Sequence, residues 1–176
     1  MLRIARHEAG HCLIGWLRGE KPVQITIMAR GKAGGFVERE ADEDRMLYTK
    51  GELEGMIRQA MGGRAAEMLY YGADEGLSTG VGEDLRAATR YAEMMVRSYG
   101  MDDSVGQIAL DSQRFDNSPL AADVMRGAAR IVKEQLERAR EDLAERQPSL
   151  DHLVKELMEK NRLTRSELEG ILADVS

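Results

Sequence analysis

The stretch His7-Glu8-Ala9-Gly10-His11, set in the helix-like run from Leu2 to about Arg18, decides how the rest of the chain is read. Residues four apart on an α-helix project from one face, so His7 and His11 can aim their ring nitrogens at a single Zn²⁺ at ~2.0–2.1 Å. Glu8 lies beside that metal. A carboxylate there can take a proton from water that the cation has acidified toward pKa ~7 and deliver it to a leaving amine. The chemistry implied is hydrolysis of an amide. The plainer reading is a solvated histidine pair on a helix face; that two of the chain's three histidines fall in this one motif weighs against it.

A catalytic metal needs a third protein ligand and one position left open. His152, in Leu150-Asp151-His152-Leu153-Val154, reads as a hydrated or capping residue. Cys12 adjoins His11 but points about 100° away around the helix, so it reads as a small buried hydrophobe. The third ligand is therefore expected to be a carboxylate. Glu67, in Gly62-Gly63-Arg64-Ala65-Ala66-Glu67, and Asp84, after the glycine-rich Ser78-Thr79-Gly80-Val81-Gly82, are both candidates. Glu67 could instead accept a hydrogen bond from a ligating histidine. The residues themselves rank the two only weakly.

Outward from the motif, the chain reads as mainly α with a small sheet. The first helix ends at Gly19, with Pro22 beyond. Val23 to Ile27 alternates with period two, and Gly35-Phe36-Val37-Glu38 forms a second strand after a glycine-rich turn at Gly31 to Gly35. Thr49-Lys50-Gly51-Glu52 is a capping box that opens one long helix to about Tyr71. Leu85, Ala88, Thr89, Ala92 and Met95 make a core-facing stripe on a helix ending at Gly100. Beyond residue 110, Ser118-Pro119 starts a charged helix running to about Glu145, with Val124, Ile131, Val132, Leu136 and Leu143 on one side. Pro148 interrupts it, and short helices follow from Ser149 and Thr164, the latter with a capping box to Glu167. The eleven scattered methionines read as pliable core filler.

With 176 residues the chain can bury one full-sized core. The organisation expected is a zinc-binding core at 1–110 and a helical subdomain of the same domain at 111–176. The net charge of −6, from 25 basic and 31 acidic residues, disfavours nucleic acid as a partner. One cysteine excludes an internal disulfide and fits a reducing, cytoplasmic setting. No apolar run approaches the ~20 residues that cross a bilayer, and no signal peptide or Walker-type phosphate loop is present.

The segments HEAGH at 7–11, GGRAAE at 62–67, LSTGVGEDLRAAT at 77–89 and YGMDDSVG at 99–106 resemble, in order and spacing, the peptidase domain of FtsH-type zinc metalloproteases. The likeness covers most of the chain. It implies a zincin-like helical metalloprotease domain in which His7, His11 and Asp84 hold Zn²⁺, Glu8 is the catalytic acid and base, and Glu67 bonds a ligand histidine. It also implies unfolded polypeptide as substrate, a hexameric ring, and an AAA+ ATPase motor with membrane segments elsewhere in the full-length protein. The first helix starts abruptly without a capping residue, so the chain is expected to be a piece cut from such a protein. Two departures stand out. Ala29-Arg30-Gly31 replaces the usual Pro-Arg-Gly, and Glu83 stands where Asn commonly precedes the aspartate, adding a negative charge near the metal that could tune water acidity or compete as a ligand.

Gly34, Gly35, Phe36 and Val37 are candidates for gripping an extended substrate as an added strand; the glycines serve equally as a tight turn. Two rival functions remain at this level: a non-enzymatic ring-forming module with a structural metal, and a metal hydrolase acting on small molecules.

Overall fold

The computed structural model describes residues 1–28, 35–38, 47–110 and 119–175. The turn expected at Gly31 to Gly35 lies outside these apart from Gly35, as do Gly34, Ala29-Arg30-Gly31 and Ser118. The order of elements is α1 (Leu2–Leu17), β1 (Gln24–Thr26), β2 (Phe36–Glu38), α2 (Lys50–Ala60), α3 (Gly62–Glu75), a 3-10 turn at Thr79–Val81, α4 (Gly82–Arg97), α5 (Ala121–Glu145), α6 (Gln147–Lys160), β3 (Arg162–Thr164) and α7 (Arg165–Ile171). The chain is mainly helical with one small sheet, as its sequence implies.

Helix α1 is the central element. Ala5, Ala9, Cys12 and Leu13 are fully buried, which suits a helix with neighbours on most sides. It closes where Gly19, at φ +80°, donates its N–H to Trp16 O and Glu20 donates to Gly15 O, the glycine-terminated helix end that needs a residue without Cβ. The sheet has the order β2-β1-β3, antiparallel throughout, with Ile25 opposite both Val37 and Leu163. Its third strand, 162–164, falls where the helices expected from Ser149 and Thr164 meet; three residues are too few to display an alternation.

The long helix expected from Thr49 to about Tyr71 is two helices. The Thr49 capping box is present, with Glu52 N–H donating to Thr49 Oγ1 and Thr49 N–H to Glu52 Oε2, but α2 stops at Ala60 and α3 begins at Gly62. The break lets Gly62 and Gly63 lie against α1. A Cβ built on Gly10 would overlap Gly62 O, and one built on Gly63 would stand 2.6 Å from His7 Nδ1. Gly72 leaves helical geometry at φ +81°, so regular helix does end at Tyr71.

Three further expectations are corrected. Leu85 is 37% exposed while Ala88, Ala92 and Met95 are fully buried, so the apolar stripe of α4 runs one turn past its cover. Helix α5 begins at Ala121 with Leu120 as its cap, leaving Pro119 in the preceding turn, and Pro148 sits in the first turn of α6, where its missing N–H has no intrahelical role. Among the described methionines only Met61 and Met95 are fully buried; Met28 and Met125 are exposed.

The core has two clusters. One joins α1, β1, α3, α6, β3 and α7 through Leu13, Ile14, Ile25, Leu153, Leu157 and Leu163. The other joins α2, α4 and the first half of α5 through Ile57, Met61, Met95, Val124 and Ile131. Helix α5 spans both, reaching Ala139 and Leu143 in the first cluster over its 25 residues, about 37 Å. Each cluster therefore takes residues from before and after position 110. Arg58 of α2 ties the pair together by donating Nε–H to the buried Gln135 and by an ion pair with Asp142 at 3.1 Å. The seam between the clusters, where α1 meets α2 and α4, is where the motif histidines lie.

Candidate metal centre

His7 and His11 stand one turn apart on α1, and Asp84 enters from the first turn of α4, where a carboxylate also complements the helix dipole. The three side chains converge. His7 Nε2 is 3.1 Å from His11 Nε2, and Asp84 Oδ2 is 3.2 Å from each nitrogen. Among the described residues this is the one cluster of such side chains with the compactness of a metal site.

Hydrogen bonds at the far side of each ring decide what those atoms can do. His7 Nδ1 faces Glu67 Oε1 at 2.8 Å, and His11 Nδ1 faces the backbone carbonyl of Gln59 at 2.8 Å. Both partners accept only, so both Nδ1 atoms carry the ring proton and donate it. In neutral rings each Nε2 is then a bare lone pair, and a carboxylate oxygen completes the triangle. Three acceptors at 3.1–3.2 Å repel one another unless positive charge sits among them. The electrostatics express the same demand. Burial opposes a charge on His7, yet bonds to Asp84 and Glu67 outweigh it and raise the pKa. Burial likewise opposes ionisation of Asp84, yet bonds to His11 and His7 hold its carboxyl well below the usual range. A divalent cation answers the demand: donors on tetrahedral Zn²⁺ with bonds of ~2.0–2.1 Å stand about 3.3 Å apart.

Glu67, 2% exposed, is fully engaged: His7 and Ser78 Oγ donate to Oε1, and Arg3 Nη1 donates to Oε2 at 2.8 Å. Of the two candidate acids, Asp84 sits at the imidazole Nε2 atoms and Glu67 behind His7. Glu83 is neither: its side chain is 87% exposed and paired with Arg86, which holds its pKa low, so it takes no place among the donors. His152 is half exposed beside Glu156 on α6, and Cys12 is buried, as expected.

Glu8, 8% exposed, and the three donors line one open cleft of about 1450 Å³. Gly35, Phe36 and Val37, at the start of edge strand β2, line it too. A Cβ on Gly35 would stand 2.7 Å from Thr26 O and 3.0 Å from Glu8 Oε1, so glycine there lets the strand pass directly against the Glu8 carboxylate. Tyr48, Met56, Ala60 and Tyr91 add apolar surface to the cleft lining. Sequence reading missed the Gln59 carbonyl, which carries no side-chain signature, and Ser78, whose hydroxyl both bonds Glu67 and accepts from Gly80 N–H at the start of the 3-10 turn. The Ser-Thr-Gly pattern signals the turn but not the second bond.

Known proteins match this sequence over nearly its whole length. The sequence model of Peptidase family M41 matches residues 2–171. The chain is 35% identical to ATP-dependent zinc metalloprotease FtsH 3 of Synechocystis sp., over 97% of this chain and 30% of that protein. It is 38% identical to the ATP-dependent zinc metalloprotease FtsH of Rhodothermus marinus, over 96% of this chain and 26% of the relative. It is 36% identical to FtsH 2 of Symbiobacterium thermophilum, over 99% of this chain and 27% of the relative. The chain thus spans about a quarter to a third of the length of these relatives. A match over nearly every residue, with the paired helical histidines inside it, assigns the chain: it belongs to peptidase family M41.

Proposed function

We propose that the chain is a zinc endopeptidase domain acting on unfolded polypeptide, with His7, His11 and Asp84 as zinc ligands and Glu8 as the proton carrier. The observation that carries this reading is the triangle of lone-pair donors whose ring protons are already committed to Glu67 and Gln59. Three protein donors also leave the open position that separates a catalytic from a structural site. When bound, zinc supplies Lewis-acid polarisation of the scissile carbonyl and acidifies the water beside it.

The chain's own residues do the rest. Glu67 and the Gln59 carbonyl fix the tautomer and ring orientation of the two histidines. Glu8 takes the proton of the attacking water and passes it to the departing amine. The edge of β2 at Gly35, Phe36 and Val37 receives the substrate backbone as an added strand, which grips main chain irrespective of sequence. Residues 1–110 supply this machinery, and 111–176 form its helical buttress.

By the likeness to FtsH proteins, named ATP-dependent, the full-length protein is proposed to carry an AAA+ ATPase that feeds the cleft. A hexameric ring and a membrane anchor with this domain on the cytoplasmic side belong to the same proposal. Among the described residues no helix is long and apolar enough to cross a membrane. The test is turnover of an unfolded protein such as casein by this chain, with and without chelator. Cleavage that requires zinc supports the reading; cleavage indifferent to chelation, or zinc binding without any cleavage, refutes it.

A further inference from the structure

A polar strut joins the end of α1 to the carbonyl that holds His11. The Gln59 side chain is 3% exposed, and its Nε2 donates to Glu20 Oε2 at 2.8 Å while its Oε1 accepts from Arg18 Nη1. Arg18 Nη1 also donates to Glu20 Oε1 at 2.9 Å, which closes a ring of three side chains. Two glycines make room for it. A Cβ on Gly15 would overlap the Gln59 amide, and one on Gly55 would stand 2.6 Å from Arg18 Nε.

The same residue's backbone oxygen accepts from His11 Nδ1. That oxygen lies in the last turn of α2, where the regular i to i−4 pattern ends: it accepts from the Met61 cap N–H, and the break at Met61 lets it face α1 as well. A buried amide adopts one orientation when both its oxygen and its nitrogen are satisfied, and leaving one unsatisfied is costly. The ring therefore fixes how the end of α2 sits on α1, and with it the distance between the Gln59 carbonyl and the imidazole.

We propose that Gln59 is a positioning residue for the metal centre: its side chain, locked by Arg18 and Glu20, holds its own carbonyl where it orients His11. The inference rests on the reading of His7, His11 and Asp84 as ligands. It adds a determinant of metal affinity outside the histidine motif, reached through a residue whose side chain never touches the donors.

The test is Gln59→Leu, close in volume and without polar atoms, in the 176-residue chain, with Arg18→Leu as a second variant that leaves Gln59 in place. Zinc dissociation constants come from competition with a chromophoric chelator, and thermal melts of the metal-free chain run in parallel. Both variants are expected to raise the dissociation constant about tenfold, the lower edge of the 10–100-fold range for loss of an outer partner of a ligand. In the metal-free chain, the His11 Nδ1 proton is expected to be sharp and slow to exchange with solvent in the parent, and to exchange rapidly in either variant. A variant that melts lower but keeps the parent's zinc affinity and a protected His11 proton overturns the proposal, because its side chain then serves stability alone. Should the parent itself fail to bind zinc, the ligand assignment falls, while the exchange of the His11 proton still decides what Gln59 does.

Discussion

Gly63→Ala separates the demands of folding from those of metal binding. The added Cβ would overlap the His7 ring, 2.5 Å from Nε2 and closer still to Cε1, against 3.4 Å or more in ordinary contact, so the ring must retreat by at least about 0.9 Å (3.4 − 2.5). A ring at the end of a side chain can move that far at moderate expense, and the fold should lose about 1–3 kcal/mol, the range for overpacking a filled site. The metal is less tolerant. Ligand distances hold to about ±0.2 Å, and the retreat also strains the bond from His7 to Glu67, whose loss alone costs roughly 10–100-fold in affinity. Zinc affinity should therefore drop by about 100-fold or more, measured by chelator competition, while the metal-free chain keeps the parent's circular dichroism and melts about 2–12 °C lower, the shift that such a loss gives in a chain of this size. Gly51→Ala is the control: nothing lies within 4 Å of its Cβ in α2, and it should stabilise by about 0.4–1 kcal/mol with unchanged zinc binding. If Gly63→Ala binds zinc within threefold of the parent, the claimed dependence of the site on this close approach is wrong.

Glu8→Gln should keep zinc and lose about 10²–10⁴ in turnover of unfolded substrate, the usual contribution of a general acid and base; a variant within tenfold of the parent would sink the role given to Glu8. Asp84→Ala should strip the metal, whereas Glu67→Ala should leave partial occupancy, and the reverse ranking in metal analysis would exchange their roles. At the start of α7 the Thr164 backbone, then Lys160 and the Thr164 hydroxyl, bring the Glu167 pKa from 4.5 down to about 2. A depressed carboxylate contributes stability that is full above its unfolded value and disappears as pH falls through the folded one. The stability difference between parent and Glu167→Gln, followed by chemical denaturation, should therefore be present at pH 7 and shrink between about pH 4.5 and 2. A difference independent of pH across that window would contradict the capping role.

What could be read from the sequence was what is local. The histidine pair, both capping boxes, Gly19 as the end of α1 and the burial of Cys12 each depend on residues within a turn or two, and all stand in the structure. Features set by distant contacts were hidden. Gly62-Gly63 looks like a tolerable weak spot within one helix, and only the approach of α1 shows why the chain breaks there. Strand β3 has three residues, below the length at which alternation can be seen, and exists because β1 offers it an edge. Leu85 continues the α4 stripe in sequence but not in burial, since cover depends on where neighbouring helices stop. The choice between Glu67 and Asp84 is open on the residues alone for the same reason: both acids follow glycine-containing stretches, and the family likeness, not the local pattern, separates them.

The position of the site follows from the division of the core. His7 and His11 ride on a helix rooted in one cluster, and Asp84 opens a helix rooted in the other. Neither cluster alone brings the donors to 3.2 Å, so the triangle forms only when α1, α2 and α4 are packed together. Close approaches at glycine set how α1 sits: against α3 at Gly10, Gly62 and Gly63, and against the Gln59 side chain of α2 at Gly15. Metal binding must then be linked to the docking of the two clusters: a ligand that favours only the docked form stabilises it by RT ln(1 + [L]/Kd), about 4 kcal/mol at a thousandfold excess over Kd. The same linkage explains why the chemistry lies at a seam. Enclosed within one cluster, the donors would lack a route for substrate; at the junction they stay buried on the protein side and open to the cleft on the other.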